Sequence, residues 1–197
     1  HPAPYTVIRS IDVKAGRWKP LYQHAWSMHY CEKLESLSKK ALMIWPYHTL
    51  IGTPGHTLTP ALYEAIAYHS AACQKQPVFL QKGTIPETEF YSILEPEVKM
   101  PDHAAGGLNV EFLDTLATYD RVYVAGEAKS HCVLETIASI MRYFAEQPEM
   151  IAKFRVLEDC MASVAHPTIN FEAMAMNECS RYATQSLKMI RSSDPLE

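Results

Sequence analysis

Short apolar runs that stop abruptly constrain this chain more than any other feature. Ala41-Leu42-Met43-Ile44-Trp45 ends at Pro46, Pro77-Val78-Phe79-Leu80 ends at a polar loop, and Arg121-Val122-Tyr123-Val124-Ala125 ends at Gly126. Continuous runs of this length suit strands buried on both faces of a parallel sheet. Between them lie stretches with helical spacing, at residues 28–39, 61–73, 110–118, 130–145 and 170–185. In residues 130–145 the apolar positions Val133, Ile137, Ile140, Met141 and Phe144 fall on one helical face. Residues 154–157 and 187–190 add a fourth strand and a short final one. Strands alternating with helices predict an α/β fold, a parallel doubly wound sheet with helices on both faces. Residues 1–26 read as an irregular N-terminal segment, and 197 residues suit a single domain. Chemistry in such sheets gathers at the carboxyl ends of strands, so the loops after Trp45, Leu80, Ala125 and Leu157 are the ones to search.

Composition excludes several classes. A net charge of −4 offers no basic footprint for nucleic acid and no cationic surface for anionic lipid. No apolar run approaches the roughly 20 residues of a membrane helix, and no signal peptide opens the chain. Five cysteines, at 31, 73, 132, 160 and 179, lack CxxC spacing, which predicts reduced thiols and a cytoplasmic protein. The chain begins at His1, so a processed or trimmed N-terminus is expected.

The most informative segment is Gly126-Glu127-Ala128-Lys129-Ser130-His131-Cys132-Val133. Here a strand ends, a short turn follows, and Cys132 enters the first turn of a helix. Free backbone N–H groups and the positive end of the helix dipole favour a thiolate there, and the same donors suit a developing oxyanion. The residues alone leave a second reading open, a small buried thiol. Lys82, in Gln81-Lys82-Gly83, follows the run at 77–80; by itself it reads equally as a solvated loop lysine. His48, in Trp45-Pro46-Tyr47-His48, follows another run and can point toward the same end of the sheet.

Together these segments resemble the cysteine hydrolases of the isochorismatase superfamily, in particular the nicotinamidase-type branch. The likeness spans about Pro20 to Ile190. It implies Cys132 as nucleophile, Lys82 as its cationic partner, a cis peptide between Glu127 and Ala128, and oxyanion donors at the N–H groups of Ala128 and Cys132. Glu127, Lys129 and Ser130 depart from the commonest turn, which bears on substrate more than on reaction class. Tyr91 and Ser92 match a family Tyr-Ser pair and read as packing or capping residues. Trp45-Pro46-x-His48 resembles the loop whose histidine binds a divalent metal, so the likeness implies a metal, zinc by expectation, with His48 as a ligand and His56 as a looser candidate.

Two family features are missing. No Asp-x-His pair occurs in the sequence, and one imidazole does not hold a catalytic zinc, which needs about three protein ligands. The family's catalytic aspartate has only a look-alike, Asp12. The sequence therefore predicts the C-terminal portion of a longer hydrolase domain, its N-terminal strands missing, completed by an upstream segment or companion fragment. The implied activity is hydrolysis of a carbon–nitrogen bond in a small amide, nicotinamide above all, by a homo-oligomer. The alternatives are a metal-free N-carbamoyl or ureido amidohydrolase and a catalytically silent binding subunit.

Overall fold

A computed structural model describes residues 2–195, so the His1 terminus, expected to arise by processing, lies outside the described residues. The chain divides into two compact units, one ending at Gln81 and one starting at Lys82, where length suggested a single domain. No helix among the described residues is long and apolar enough to cross a membrane.

The stretch before Trp26, expected to be irregular, carries β1 (Val7–Ile8) and α1 (Ser10–Lys14). Residues 41–45 shrink to β2 (Leu42–Met43), which pairs antiparallel with β1 through Val7 and Met43. The expectation of a buried parallel strand fails here because its partner, β1, is a two-residue strand that runs antiparallel to it. α2 (His24–Ser36) buries Tyr30, Cys31 and Leu34 on one face. Ile8, Val13 and Cys31 form a small core, against which Trp18, Met28, Leu42 and Ile44 pack. Glu35 fastens α2 to α1 by accepting from the Ser10 N–H at 2.9 Å and its hydroxyl at 2.6 Å.

α3 (Pro60–Cys73) begins with proline at its first position, where the missing N–H costs nothing, yet none of its residues is buried. Residues 77–80 form no strand, and Val78 and Phe79 stand 74% and 71% exposed. A β-rich composition becomes a strand only when a neighbour takes its backbone hydrogen bonds. None among the described residues pairs with this segment.

The second unit has the predicted parallel α/β arrangement. Its sheet has the order β3 (Val122–Glu127), β4 (Phe154–Ala162), β5 (Lys188–Ile190), with both pairings parallel. The connections carry α5 (Leu134–Tyr143), α6 (Pro148–Ile151) and α7 (Phe171–Ala183), as parallel neighbours require. α4 (Val110–Ala117) precedes the sheet, its first turn capped by the Asn109 side chain accepting from the Phe112 N–H at 3.1 Å.

The core sits where α5 meets the strands: Ile137, Ile140 and Met141 join Leu113, Phe154, Val156 and Leu187. Phe154 and Val156 are almost fully enclosed. Along β3, Val122 and Val124 turn inward, while Tyr123, Ala125 and Glu127 are exposed. The strand therefore alternates where the sequence had suggested a continuous buried run. Opposite Gly126 the pairing shifts register, from Val124 with Val156 to Gly126 with Met161. This irregularity releases the chain into the turn that carries Cys132.

Candidate active site

Gly126 adopts φ +131°, a conformation that side chains rarely accept, one residue before the end of the strand. The next peptide bond, Glu127–Ala128, is cis. Residues Lys129–Val133 then make a single wide helical turn before α5. The Ala128 carbonyl accepts from the His131 N–H at 3.0 Å and from the Val133 N–H at 3.2 Å. The second of these spans five residues, the π-type bond that often accompanies functional turns. Cys132 lies within this turn, half-buried, with a free thiol. Its carbonyl accepts from the Thr136 hydroxyl at 2.8 Å, and the Thr136 oxygen accepts in turn from the Ile93 N–H at 3.1 Å.

The three polar residues before Cys132 are all buried. The Lys129 side chain, 9% exposed, forms an ion pair with Glu172 of α7, and its ammonium lies 3.9 Å from the Met176 sulfur. That hydrogen bond from Lys129 holds the Glu172 carboxyl below the usual carboxylate range. The Ser130 oxygen accepts from the Val164 N–H at 3.1 Å and lies 2.8 Å from His131 Nδ1. With the Val164 N–H on its oxygen, the Ser130 hydroxyl keeps both a proton and a second lone pair for Nδ1, so the contact suits either tautomer of the imidazole. The His131 ring sits between Tyr91, at 5.7 Å between centroids, and Phe171, at 4.8 Å. Phe171 also meets the ring of His166, at 5.7 Å. The turn is thus pinned to the Tyr91 loop on one side and to α7 on the other.

Lys82 is half-buried in an irregular segment and donates from Nζ to the Tyr91 carbonyl at 2.7 Å. Gly83, at φ +71°, turns the chain immediately afterwards. Beyond Tyr91 the loop is fastened to α5. The Ser139 hydroxyl lies 3.0 Å from the Ser92 oxygen and 2.8 Å from Glu95 Oε1, and Arg142 donates to the same carboxylate oxygen at 2.8 Å. Burial pushes the Glu95 carboxyl up, but the hydrogen bonds from Arg142 and Ser139 outweigh it and hold the group below its ordinary range. Lys82 and Cys132 therefore share one unit, joined through Tyr91 and His131. The contact at Tyr91 has no sequence signal, because its backbone carbonyl, not its side chain, receives the ammonium. Lys129 and His131 gave a signal that went unread: polar residues crowded into the entry of an otherwise apolar helix.

The segment around His48 is different. His48 is exposed, with Nδ1 2.7 Å from the Pro46 carbonyl and its ring 6.0 Å from Trp45. A carbonyl only accepts, so Nδ1 carries the proton and Nε2 keeps its lone pair, a tautomer suited to binding a metal. Among the described residues, however, no group of three His, Cys, Asp or Glu side chains could hold a metal ion. The residues present do not fit a catalytic zinc. His56 is exposed in a short turn at Pro54–His56. Asp12 serves α1, accepting from the Arg9 N–H at 2.9 Å and from Arg17 at 2.7 Å.

No family model matches the sequence, and no curated protein matches it at the sequence level. Solved structures do resemble the fold. The yeast nicotinamidase Pnc1p, bound to the inhibitor nicotinaldehyde, aligns with a TM-score of 0.52 and 16% identity, over 78% of this chain and 61% of its own. An Acinetobacter baumanii nicotinamidase/pyrazinamidase aligns with a TM-score of 0.49, 19% identity and coverages of 78% and 62%. PnC1 from L. infantum, in complex with nicotinate, gives 0.48, 22%, 76% and 61%. The chain thus spans about three fifths of the length of the structures it matches. By its parallel sheet and by its likeness to the yeast enzyme, this chain has an α/β fold shared with that solved structure.

Proposed function

We propose that this chain carries the nucleophile half of an amidohydrolase acting on a small amide, with nicotinamide as the leading substrate. The observation that carries the reading is the placement of Cys132. It is half-buried in a wide helical turn at the carboxyl end of a parallel strand, in the same unit as an ammonium tethered one loop away. The fold shared with the yeast nicotinamidase supports the same reaction class.

In this reading the Cys132 thiolate attacks the amide carbonyl carbon, and Lys82 stabilises the negative charge before and during attack. The N–H groups of Ala128 and Cys132 hold the oxyanion of the tetrahedral adduct. The carbon–nitrogen bond breaks, ammonia departs with a proton, and the acyl group remains on sulfur as a thioester. Water then attacks that thioester, releasing the acid and returning the proton to the thiol. The proton carrier in this reading is a carboxylate of a companion segment; Asp12, the look-alike in the sequence, already accepts from the Arg9 N–H and from Arg17. His48 is the one side chain proposed here as a ligand for a divalent metal, its partners coming from that same segment.

Five free thiols support a reducing, cytoplasmic setting. The exposed apolar helix α3 supports assembly with a companion segment or a further copy of the chain. The test is ammonia release from nicotinamide and, in parallel, from an N-carbamoyl amino acid, with intact-mass detection of a thioester on the protein. Ammonia release with an acyl group mapped to Cys132 is expected. Turnover with the acyl group on another residue would remove the proposal.

A further inference from the structure

Lys82 has no rigid element of its own. It follows a segment that forms no strand, and the glycine after it turns the chain at φ +71°. A flexible four-carbon side chain on such a backbone is poorly placed to hold a charge at a fixed point. What fixes it is the hydrogen bond from Nζ to the Tyr91 carbonyl at 2.7 Å. That carbonyl is only as steady as residue 91.

Tyr91 is buried, and its ring lies against the ring of His131, the residue immediately before Cys132. His131 is itself held on two further sides, by the Ser130 hydroxyl at Nδ1 and by Phe171 edge-on. The turn bearing the sulfur and the loop bearing the carbonyl thus share one ring-on-ring contact. It lies one residue from the nucleophile at one end and one hydrogen bond from the ammonium at the other. The bonds joining Ser92 and Ile93 to α5 anchor the loop further along, but they do not touch residue 91 itself.

We propose that Tyr91 is a positioning residue: its ring, seated on His131, registers the Lys82 loop against the Cys132 turn and so keeps the ammonium where it favours the thiolate. The role is assigned to the ring and not to the phenol oxygen. Phenylalanine serves as well as tyrosine, whereas an aliphatic residue does not. The inference rests on the roles given above to Lys82 and Cys132, and its test separates its own failure from theirs.

Iodoacetamide alkylation of the intact protein is followed peptide by peptide from pH 6 to 9, with the exposed Cys73 and Cys160 as internal references. Lys82→Met is expected to slow Cys132 alkylation at pH 7 about tenfold and to move its pH profile upward, the effect of removing one nearby opposite charge. Tyr91→Ala is expected to move the profile the same way, by about threefold or more at pH 7, while Tyr91→Phe retains wild-type behaviour. The double variant Lys82→Met/Tyr91→Ala should be no slower than Lys82→Met alone, since both changes remove one interaction. If Tyr91→Ala loses the fold by circular dichroism, Tyr91→Leu, which keeps apolar bulk without the ring, takes its place.

A Tyr91→Ala or Tyr91→Leu profile that overlays the wild type, beside a shifted Lys82→Met, overturns the positioning role and leaves the Lys82–Cys132 pairing standing. So does a double variant that is additively slower, or a Tyr91→Phe as slow as Tyr91→Ala. A Lys82→Met variant with wild-type alkylation removes the pairing itself, and this inference with it.

Discussion

The turn around Cys132 and the loop around His48 each follow a short apolar run and each present a side chain able to do chemistry. They differ in what holds that side chain. Around Cys132, Lys129 pairs with Glu172, Ser130 joins His131 to the Val164 amide, and His131 lies between two aromatic rings. Around His48 there is a carbonyl two residues away and one indole, and the side chain faces solvent. A nucleophile can be prepared by its own turn, because strand end, amides and helix start are contiguous in sequence. A metal ligand cannot, since the ion needs groups from several segments.

That contrast can be broken most sharply at the sulfur. Cys132→Ala should abolish ammonia release from small amides while leaving the circular dichroism spectrum unchanged; residual turnover at wild-type rates would reduce the turn to a structural feature. The next largest effect falls on the backbone. Gly126→Ala should lower stability by about 1–3 kcal/mol, the cost of forcing a side chain into a conformation that glycine alone adopts readily. A denaturant midpoint equal to that of the wild type would mean the turn tolerates another geometry.

Acid should separate the two regions as well. The Glu172 carboxyl sits below its unfolded value, so the stability it contributes is complete above about pH 4.3. That contribution is lost as pH falls through the lower folded value. Glu172→Gln should flatten this part of the acid-unfolding curve by a fraction of a kcal/mol, as suits a pair whose carboxylate is half exposed. A curve for Glu172→Gln identical to the wild type would mean the ion pair contributes nothing. Least of all should follow from His48→Ala, which is expected to change stability by less than about 0.5 kcal/mol, as for exposed positions generally. A larger loss by thermal denaturation would reveal a structural role for that loop.

The sequence made the second unit legible because its signals are local. Val133, Ile137, Ile140 and Met141 announced a one-sided helix, and the structure buries Val133, Ile137, Ile140 and Met141 together in one core. Gly126 marked the end of a strand, and β3 runs just one residue further. Two of the misreadings concern partners. Val78 and Phe79 have strand composition, but composition does not supply a neighbouring backbone, and both side chains are exposed. Leu42 and Met43 do find a partner, but it lies near the start of the chain and runs antiparallel. At the proposed site, Cys132 and Lys82 are residue types whose possible chemistry can be read from the sequence. The contact at Tyr91 cannot, since nothing in a residue's identity tells where its carbonyl points.

The bare state of α3 has a consequence for how the chain moves. Fourteen residues of isolated helix are marginal in water, and this one buries none of its side chains to make up the deficit. In the chain by itself, its amide hydrogens should therefore trade with deuterium through local fraying within seconds to minutes. Those of α5, locked beneath the sheet, should wait for the whole unit to open. Two helices of comparable length would then keep time on separate clocks within the same polypeptide.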